Sequence, residues 1–127
     1  MAHLKSVSPI SGENTDALPV KDLEGAVEFF KVVLGFSEVS RDAKKAVLAR
    51  DGVRIGLERK EDHEPGQAGS IAFAVDDLDA LHDELKGAGG KPGKFGIDNW
   101  GGKQYRTFFM REERNGYCFC FHCPVSP

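Results

Sequence analysis

LPVKDLEGAVEFF, residues Leu18 to Phe30, has an echo in FAVDDLDALHDEL, residues Phe73 to Leu85. Adding 55 to the first set of numbers lays Val20 on Val75, Asp22 on Asp77, Leu23 on Leu78, Phe30 on Leu85 and, just beyond, Gly35 on Gly90. Each copy opens with alternating apolar residues, Leu18 and Val20 in one and Ile71, Phe73 and Val75 in the other, which predicts a strand with one buried face. The Asp that follows suits a helix N-cap, because its carboxylate accepts backbone N–H groups left without partners in the first turn. Apolar residues then return at helical spacing: Leu23, Val27, Phe30 and Leu34, then Leu78, Leu81 and Leu85. Glycines stand where each helix must end, Gly35 once and Gly87, Gly89 and Gly90 the other time.

A second correspondence follows each helix. AVLARDGVRIGLERK (Ala46 to Lys60) carries Asp51-Gly52, and RTFFMREERNGYCFCFHC (Arg106 to Cys123) carries Asn115-Gly116. Both dipeptides signal a tight hairpin, whose two central residues need positive φ. An offset of 64 pairs Val53 with Tyr117, Ile55 with Phe119 and Leu57 with Phe121. The chain therefore reads as two copies of strand, helix, then hairpin or meander, an α+β architecture. Module one covers about residues 15–60, a polar linker 61–69, and module two 70–123, within a single domain spanning 1–127. Ahead of the first module, LKSVSPISGENTDA holds a turn-like SGEN that interrupts a possible strand, so residues 1–16 have no assigned place.

Composition narrows the function classes. Seventeen basic residues are scattered among twenty acidic ones, for a net charge of −3, so no basic footprint for nucleic acid emerges. Apolar runs are only a few residues long, far short of a membrane span, and MAHLKSVSPI lacks the apolar segment of a secretory signal. The expected setting is the cytoplasm. Cys118, Cys120 and Cys123 are an odd number bunched within six residues, a poor disulfide framework, so reduced thiols are expected.

The duplicated βαβββ pattern, the Asp-Leu helix entry, FFKVVLGF at the first helix exit, Trp100-Gly101 and the closing Asn115-Gly116 together resemble the vicinal oxygen chelate superfamily. That group holds glyoxalase I, extradiol dioxygenases and bleomycin-resistance proteins, and this chain is closest in character to its metal-free, bleomycin-resistance-like members. The resemblance implies two modules forming a cupped mixed sheet whose concave side holds the ligand, and a homodimer. Metal-using members place His, Gln or Glu at four strand positions. Carried over, those positions are Thr15, Gly56, Ser70 and Cys120. Thr, Gly, Ser and one Cys are a poor donor set for a hard divalent ion. The expectation is no metal and no cofactor, which argues against metal-dependent glyoxalase chemistry.

Strand alternation gives a second route to the same face. If Val53, Ile55 and Leu57 pack on a helix, Arg54, Gly56 and Glu58 face away from it; if Phe119 and Phe121 do so, Cys118, Cys120 and His122 face away. Ser70, Ala72 and Ala74 join them. Small and polar residues on one face suit a concave cavity with a few convergent polar groups. They equally suit a sheet face left to water or to a second subunit. Cys118-x-Cys120-x-His122 is the sharpest constellation: it offers ligands for a soft metal, or a thiolate activated by a neighbouring imidazolium. Side chains two apart on a strand stand about 7 Å apart, too wide for several to share one tetrahedral ion, so free wall-lining thiols are the plainer reading. Of the other histidines, His82 matches Val27 and belongs at the core's edge, and His63 sits in the polar linker, where solvent is its expected partner. The segment KPGKFGIDNWGGKQY, Lys91 to Tyr105, reads as a flexible glycine-rich loop; its Trp100 is either a plug beneath that loop or a ligand-facing ring.

Three functional readings stand. The first is a metal-independent small-molecule-binding protein in which Trp100 and Tyr105 stack on the ligand, Arg54 and Glu58 orient it, and Cys118, Cys120 and His122 form the floor. The second is a superfamily enzyme of lyase, isomerase or oxidoreductase type that uses His122 or Cys120. The third is a pure dimerisation module.

Overall fold

The computed structural model describes residues 2–10 and 14–125. Ser11, Gly12 and Glu13 of the SGEN segment lie outside the described residues. Module one comprises β2 (Leu18–Val20), α1 (Leu23–Val32), β3 (Ser37–Arg41), β4 (Lys45–Arg50) and β5 (Val53–Arg59). Module two comprises β6 (Ser70–Val75), α2 (Leu78–Gly87), β7 (Gly96–Trp100), β8 (Lys103–Arg111) and β9 (Cys118–Pro124). Ahead of both lies β1 (Leu4–Pro9).

The two offsets read from the sequence map one hydrogen-bond ladder onto the other. Leu18 sits opposite Leu57 in the parallel β2–β5 pair, and Phe73 sits opposite Phe121 in the parallel β6–β9 pair; Pro19 with Glu58 corresponds to Ala74 with His122. Each sheet continues antiparallel from its last strand, giving the orders β2-β5-β4-β3 and β1-β6-β9-β8-β7. Both helices carry the expected caps: Asp22 accepts from Gly25 N, and Asp77 from Ala80 N. The leading segment takes a definite place. β1 runs antiparallel along β6 and extends the second sheet, held at its start by an Asp76 carboxylate that accepts from His3 N at 2.6 Å and from His3 Nδ1 at 2.9 Å.

One apolar core joins the modules. Phe30 of α1 meets Phe119 of β9 edge-on at 5.7 Å, and Phe36 meets Phe73 of β6 at 6.1 Å. Ile71, Phe73, Phe119 and Phe121 are all buried on the helix side, each contributing about 1.5–3 kcal/mol through its removal from water. Arg50, at the end of β4, adds a polar clasp. It donates to the Leu34 carbonyl at 2.8 Å and to both carboxylate oxygens of Glu84 on α2, at 2.6 and 2.8 Å.

Three sequence expectations need correction. Asp51-Gly52 forms the tight two-residue turn, with φ of 54° and 83°, but at the other hairpin only Gly116 has positive φ. There the β8–β9 connection is wider, and Asn115, 0% exposed, turns its side chain inward. Its Oδ1 accepts from Lys21 N at 2.9 Å, tying module two to the helix entry of module one. His63 is not solvated: it is 4% exposed, stacks on Tyr117, and its Nε2 donates to the Asn115 carbonyl at 2.9 Å. Finally, the glycine-rich segment is largely regular, since Gly101 and Gly102 turn β7 back into β8 with φ of 59° and 76°.

Candidate functional site

The open face of the five-stranded sheet follows from its register. Cys118, Cys120 and His122 on β9 lie opposite Ser70, Ala72 and Ala74 on β6, while Phe109 and Thr107 on β8 lie opposite Cys120 and His122. Tyr105 faces Asp98 across the β7–β8 hairpin, and Trp100 stands two residues on from Asp98. On the far side, Ser8 of β1 is paired with Ala72. Curling of these strands leaves a cavity of about 550 Å³ whose floor is Ala72 and Cys120 and whose walls include Ile10, Phe109, Trp100 and His122. A larger hollow of about 760 Å³ runs along α1 beside Arg114, but it gathers no aromatic face and imidazole together as the sheet cavity does.

The aromatic wall is built as a unit. Trp100 and Tyr105 stack with centroids 4.0 Å apart and planes 6° apart. His122 lies beside the stack, 5.3 Å from the first ring and 5.6 Å from the second and almost perpendicular to both. Offset stacking and edge contacts suit the ring quadrupoles, so each ring restrains the others. Trp100 is therefore no plug: one face rests on Tyr105, and the side chain is 41% exposed at the cavity rim.

Burial governs the titratable groups. It lowers the pKa of His122, which is thus neutral at pH 7, and His122 Nδ1 is buried without a hydrogen-bond partner among the described residues. Burial also pushes the Cys120 thiol up to about 11, with smaller contributions from Asp98 and Cys118. At pH 7 only about one molecule in ten thousand would carry a Cys120 thiolate. An activated Cys120 nucleophile does not fit this environment, because a reactive thiol needs an electropositive neighbour that lowers its pKa.

Of the residues proposed from sequence, Trp100, Cys120 and His122 line the cavity, Tyr105 backs Trp100, and Cys118 is half-buried on the same sheet face. Arg54 and Glu58 are not brought together with them. Both lie on the four-stranded sheet, where Arg54 is exposed and Glu58 pairs with Lys60 at 3.0 Å and Lys45 at 3.4 Å. The four positions aligned with metal ligands also separate. Ser70 and Cys120 line the cavity, whereas the Thr15 carbonyl accepts from Gly56 N and a side chain at Gly56 would collide with the Asp16 carbonyl. Among the described residues no three His, Cys, Asp or Glu side chains converge to hold an ion, and a protonated thiol with hydroxyls does not fit the metal of the enzymatic relatives.

Sequence reasoning missed Asp98, which lines the cavity and whose Oδ2 accepts from Thr107 Oγ1 at 2.7 Å. The signal that locates it is the Gly101-Gly102 turn: once that is read as a hairpin, alternation places Asp98 on the face of Trp100. No helix among the described residues is long and apolar enough to cross a membrane.

Several solved structures share this fold. A bleomycin-binding protein in complex with bleomycin superposes with a TM-score of 0.73 at 18% identity, covering 91% of this chain and 100% of its own. A bleomycin resistance determinant encoded on the transposon Tn5 gives 0.72 at 19%, covering 91% and 100%. The bleomycin-binding protein of Streptomyces verticillus, complexed with copper(II)-bleomycin, gives 0.64 at 24%, covering 87% and 93%. No curated protein matches the chain. The sequence profile of one family matches residues 12–121, almost the whole duplicated region: the chain belongs to the glyoxalase/bleomycin resistance protein/dioxygenase superfamily.

Proposed function

We propose that this protein binds a small molecule, without a metal ion, on the open face of its five-stranded sheet. The observation that carries the reading is the Trp100–Tyr105–His122 unit, which holds one indole at the rim of a cavity floored by small residues. Such a cavity, apolar with few polar groups, suits a ligand with a flat face. The bleomycin-binding relatives, alike in fold, support binding rather than any particular ligand. The chain acts in the cytoplasm as one domain and as a homodimer, with no nucleic-acid or membrane partner. Trp100 is the sole tryptophan, so its fluorescence reports the site directly. Saturable quenching by at least one member of a diverse small-molecule library is the expected result, with the same ligand losing heat of binding in Trp100→Ala by calorimetry. A flat response across the library points to a dimerisation module instead, and a stoichiometric metal retained through dialysis overturns metal independence.

One observation favours a second reading, catalysis by proton transfer. His122 is neutral, half-buried and partnerless at Nδ1, the state a general base requires. For any substrate found, loss of turnover in His122→Gln with unchanged ligand affinity would move the protein into the enzyme class.

A further inference from the structure

We infer that the ligand is an organic cation with a planar group, its charge paired with Asp98 and its ring laid on Trp100. This rests on the cavity reading above and adds a chemical class to it. Among the described residues Asp98 is the one carboxylate in the cavity lining, which holds no Lys or Arg, and His122 is kept neutral by burial. The nearest arginine along the hairpin, Arg106, is turned to the other face, where it is bound at 3.0 and 3.1 Å by both oxygens of Asp79. Asp98 itself makes no ion pair among the described residues, and its single side-chain hydrogen bond comes from Thr107. Thr107 is 1% exposed, so its hydroxyl is a fixed donor that holds the carboxylate at Oδ2, and Oδ1 has no hydrogen bond among the described residues.

The result is a negative charge with no ion pair among the described residues, at the edge of a hollow whose other lining residues are apolar or neutral. A charge in such surroundings is screened far less than one on an open surface, so it attracts a cation and repels an anion strongly. Its field reaches the floor, where Asp98 contributes to holding Cys120 protonated. Asp98 and Trp100 are alternate residues of β7, about 7 Å apart along the strand. A carboxylate and an aromatic face at that separation match an amine, amidine or guanidine attached to a flat ring.

The test uses two probes that share a ring and differ in charge, benzamidinium and benzoate, each titrated into the full chain with Trp100 fluorescence as readout. Benzamidinium is expected to bind at least about tenfold tighter than benzoate, and added salt is expected to weaken it. In Asp98→Asn, which keeps an oxygen for the Thr107 hydroxyl, the preference should fall to about twofold or less. Should that variant melt early, the salt dependence in the unaltered chain decides the question by itself. Equal affinity for the two probes, tighter benzoate, or benzamidinium binding indifferent to salt overturns the cation assignment while leaving the cavity in place. Failure of both probes to perturb Trp100 removes the cation assignment, and the cavity reading falls with it only if the wider library is silent as well.

Discussion

Modules one and two share a ladder, a helix cap and an offset, yet they treat the same slot in opposite ways. Cys120 in module two stands over Ala72 at the floor of an open cavity. Its counterpart Gly56 is roofed by the chain's own backbone, because β2 is only three residues long and the Thr15–Asp16 turn folds across it. β6, twice as long, stays extended through Ser70 and leaves the hollow clear. Duplication thus fixes where strands and helices lie, and a local turn decides which copy keeps room for a ligand.

A side chain placed in the closed slot gives the largest expected effect. Gly56→Val drives Cβ into the Asp16 carbonyl, which is backbone and has no rotamer to yield. It is expected to cost about 3 kcal/mol or more, a large share of a typical stability of about 5–15 kcal/mol. The matched change in the open slot, Cys120→Ala, removes one atom beside a cavity and should cost about 1 kcal/mol or less. Thermal or urea unfolding of the two variants measures the gap; equal losses would mean the slots are equivalent after all.

Next in size is the tie between the modules. Asn115 is fully buried, its Oδ1 accepts from Lys21 N at 2.9 Å, and its Nδ2 donates to Glu112 Oε1 at 3.2 Å. Asn115→Ala strands a buried carboxylate oxygen and a backbone N–H, an expected loss of about 2–3 kcal/mol. Changing the exposed Asn99 to Ala should cost less than about 0.5 kcal/mol. Urea unfolding monitored by Trp100 fluorescence reads both.

The buried thiol sharpens the contrast chemically. With its pKa pushed up to about 11, Cys120 should resist iodoacetamide at pH 7 to 8, its rate rising about tenfold per pH unit toward pH 10. Peptide-resolved mass spectrometry separates it from Cys118 and Cys123. Rapid labelling of Cys120 at pH 7 would restore the nucleophile that its surroundings argue against.

How much of this was legible follows from what each signal encodes. The strands, helices, caps and the offsets of 55 and 64 rest on local periodicity and on Asp and Gly chemistry, and the ladder Leu18–Leu57 against Phe73–Phe121 agrees with them. No local pattern places β1, because its partners on β6 lie from 62 residues away (Pro9 with Ile71) to 71 (Leu4 with Val75). His63 looked solvated among Glu, Asp and Pro, yet its partner is the distant Asn115 carbonyl. Arg54 and Glu58 do face away from the helices, as alternation says, but alternation is silent on whether two sheets turn their open faces toward each other within one chain. Asp98 is hard to find in the sequence because dispersed glycines suggest flexibility, whereas Gly101 and Gly102 form a hairpin turn.

The finest distinction between the modules lies one ladder rung further on, where the offset of 64 sets Glu58 against His122. Burial lowers the His122 pKa beside Trp100, Tyr105 and Cys120, so the folded chain takes up a proton there less readily than the unfolded one. Its contribution is fully present above the unfolded value near 6.5 and is lost as pH falls through the lower folded value. Glu58 is lowered by Lys60 first and then by Lys45, so its contribution is present above 4.5 and is lost only in more acidic solution. Solvent screens the Glu58 pairs, which makes that second loss the smaller one. Melting temperatures from pH 7 to pH 3 for the unaltered chain, His122→Gln and Glu58→Gln separate the two windows, since the lowered carboxylates Asp22, Asp42, Asp76 and Asp79 are common to all three. His122→Gln should flatten the curve just below pH 6.5, and Glu58→Gln should alter it only below pH 4.5. A Glu58→Gln effect above pH 5 would place that carboxylate in surroundings as buried as those of His122, and the asymmetry between open and closed modules would then have to be abandoned.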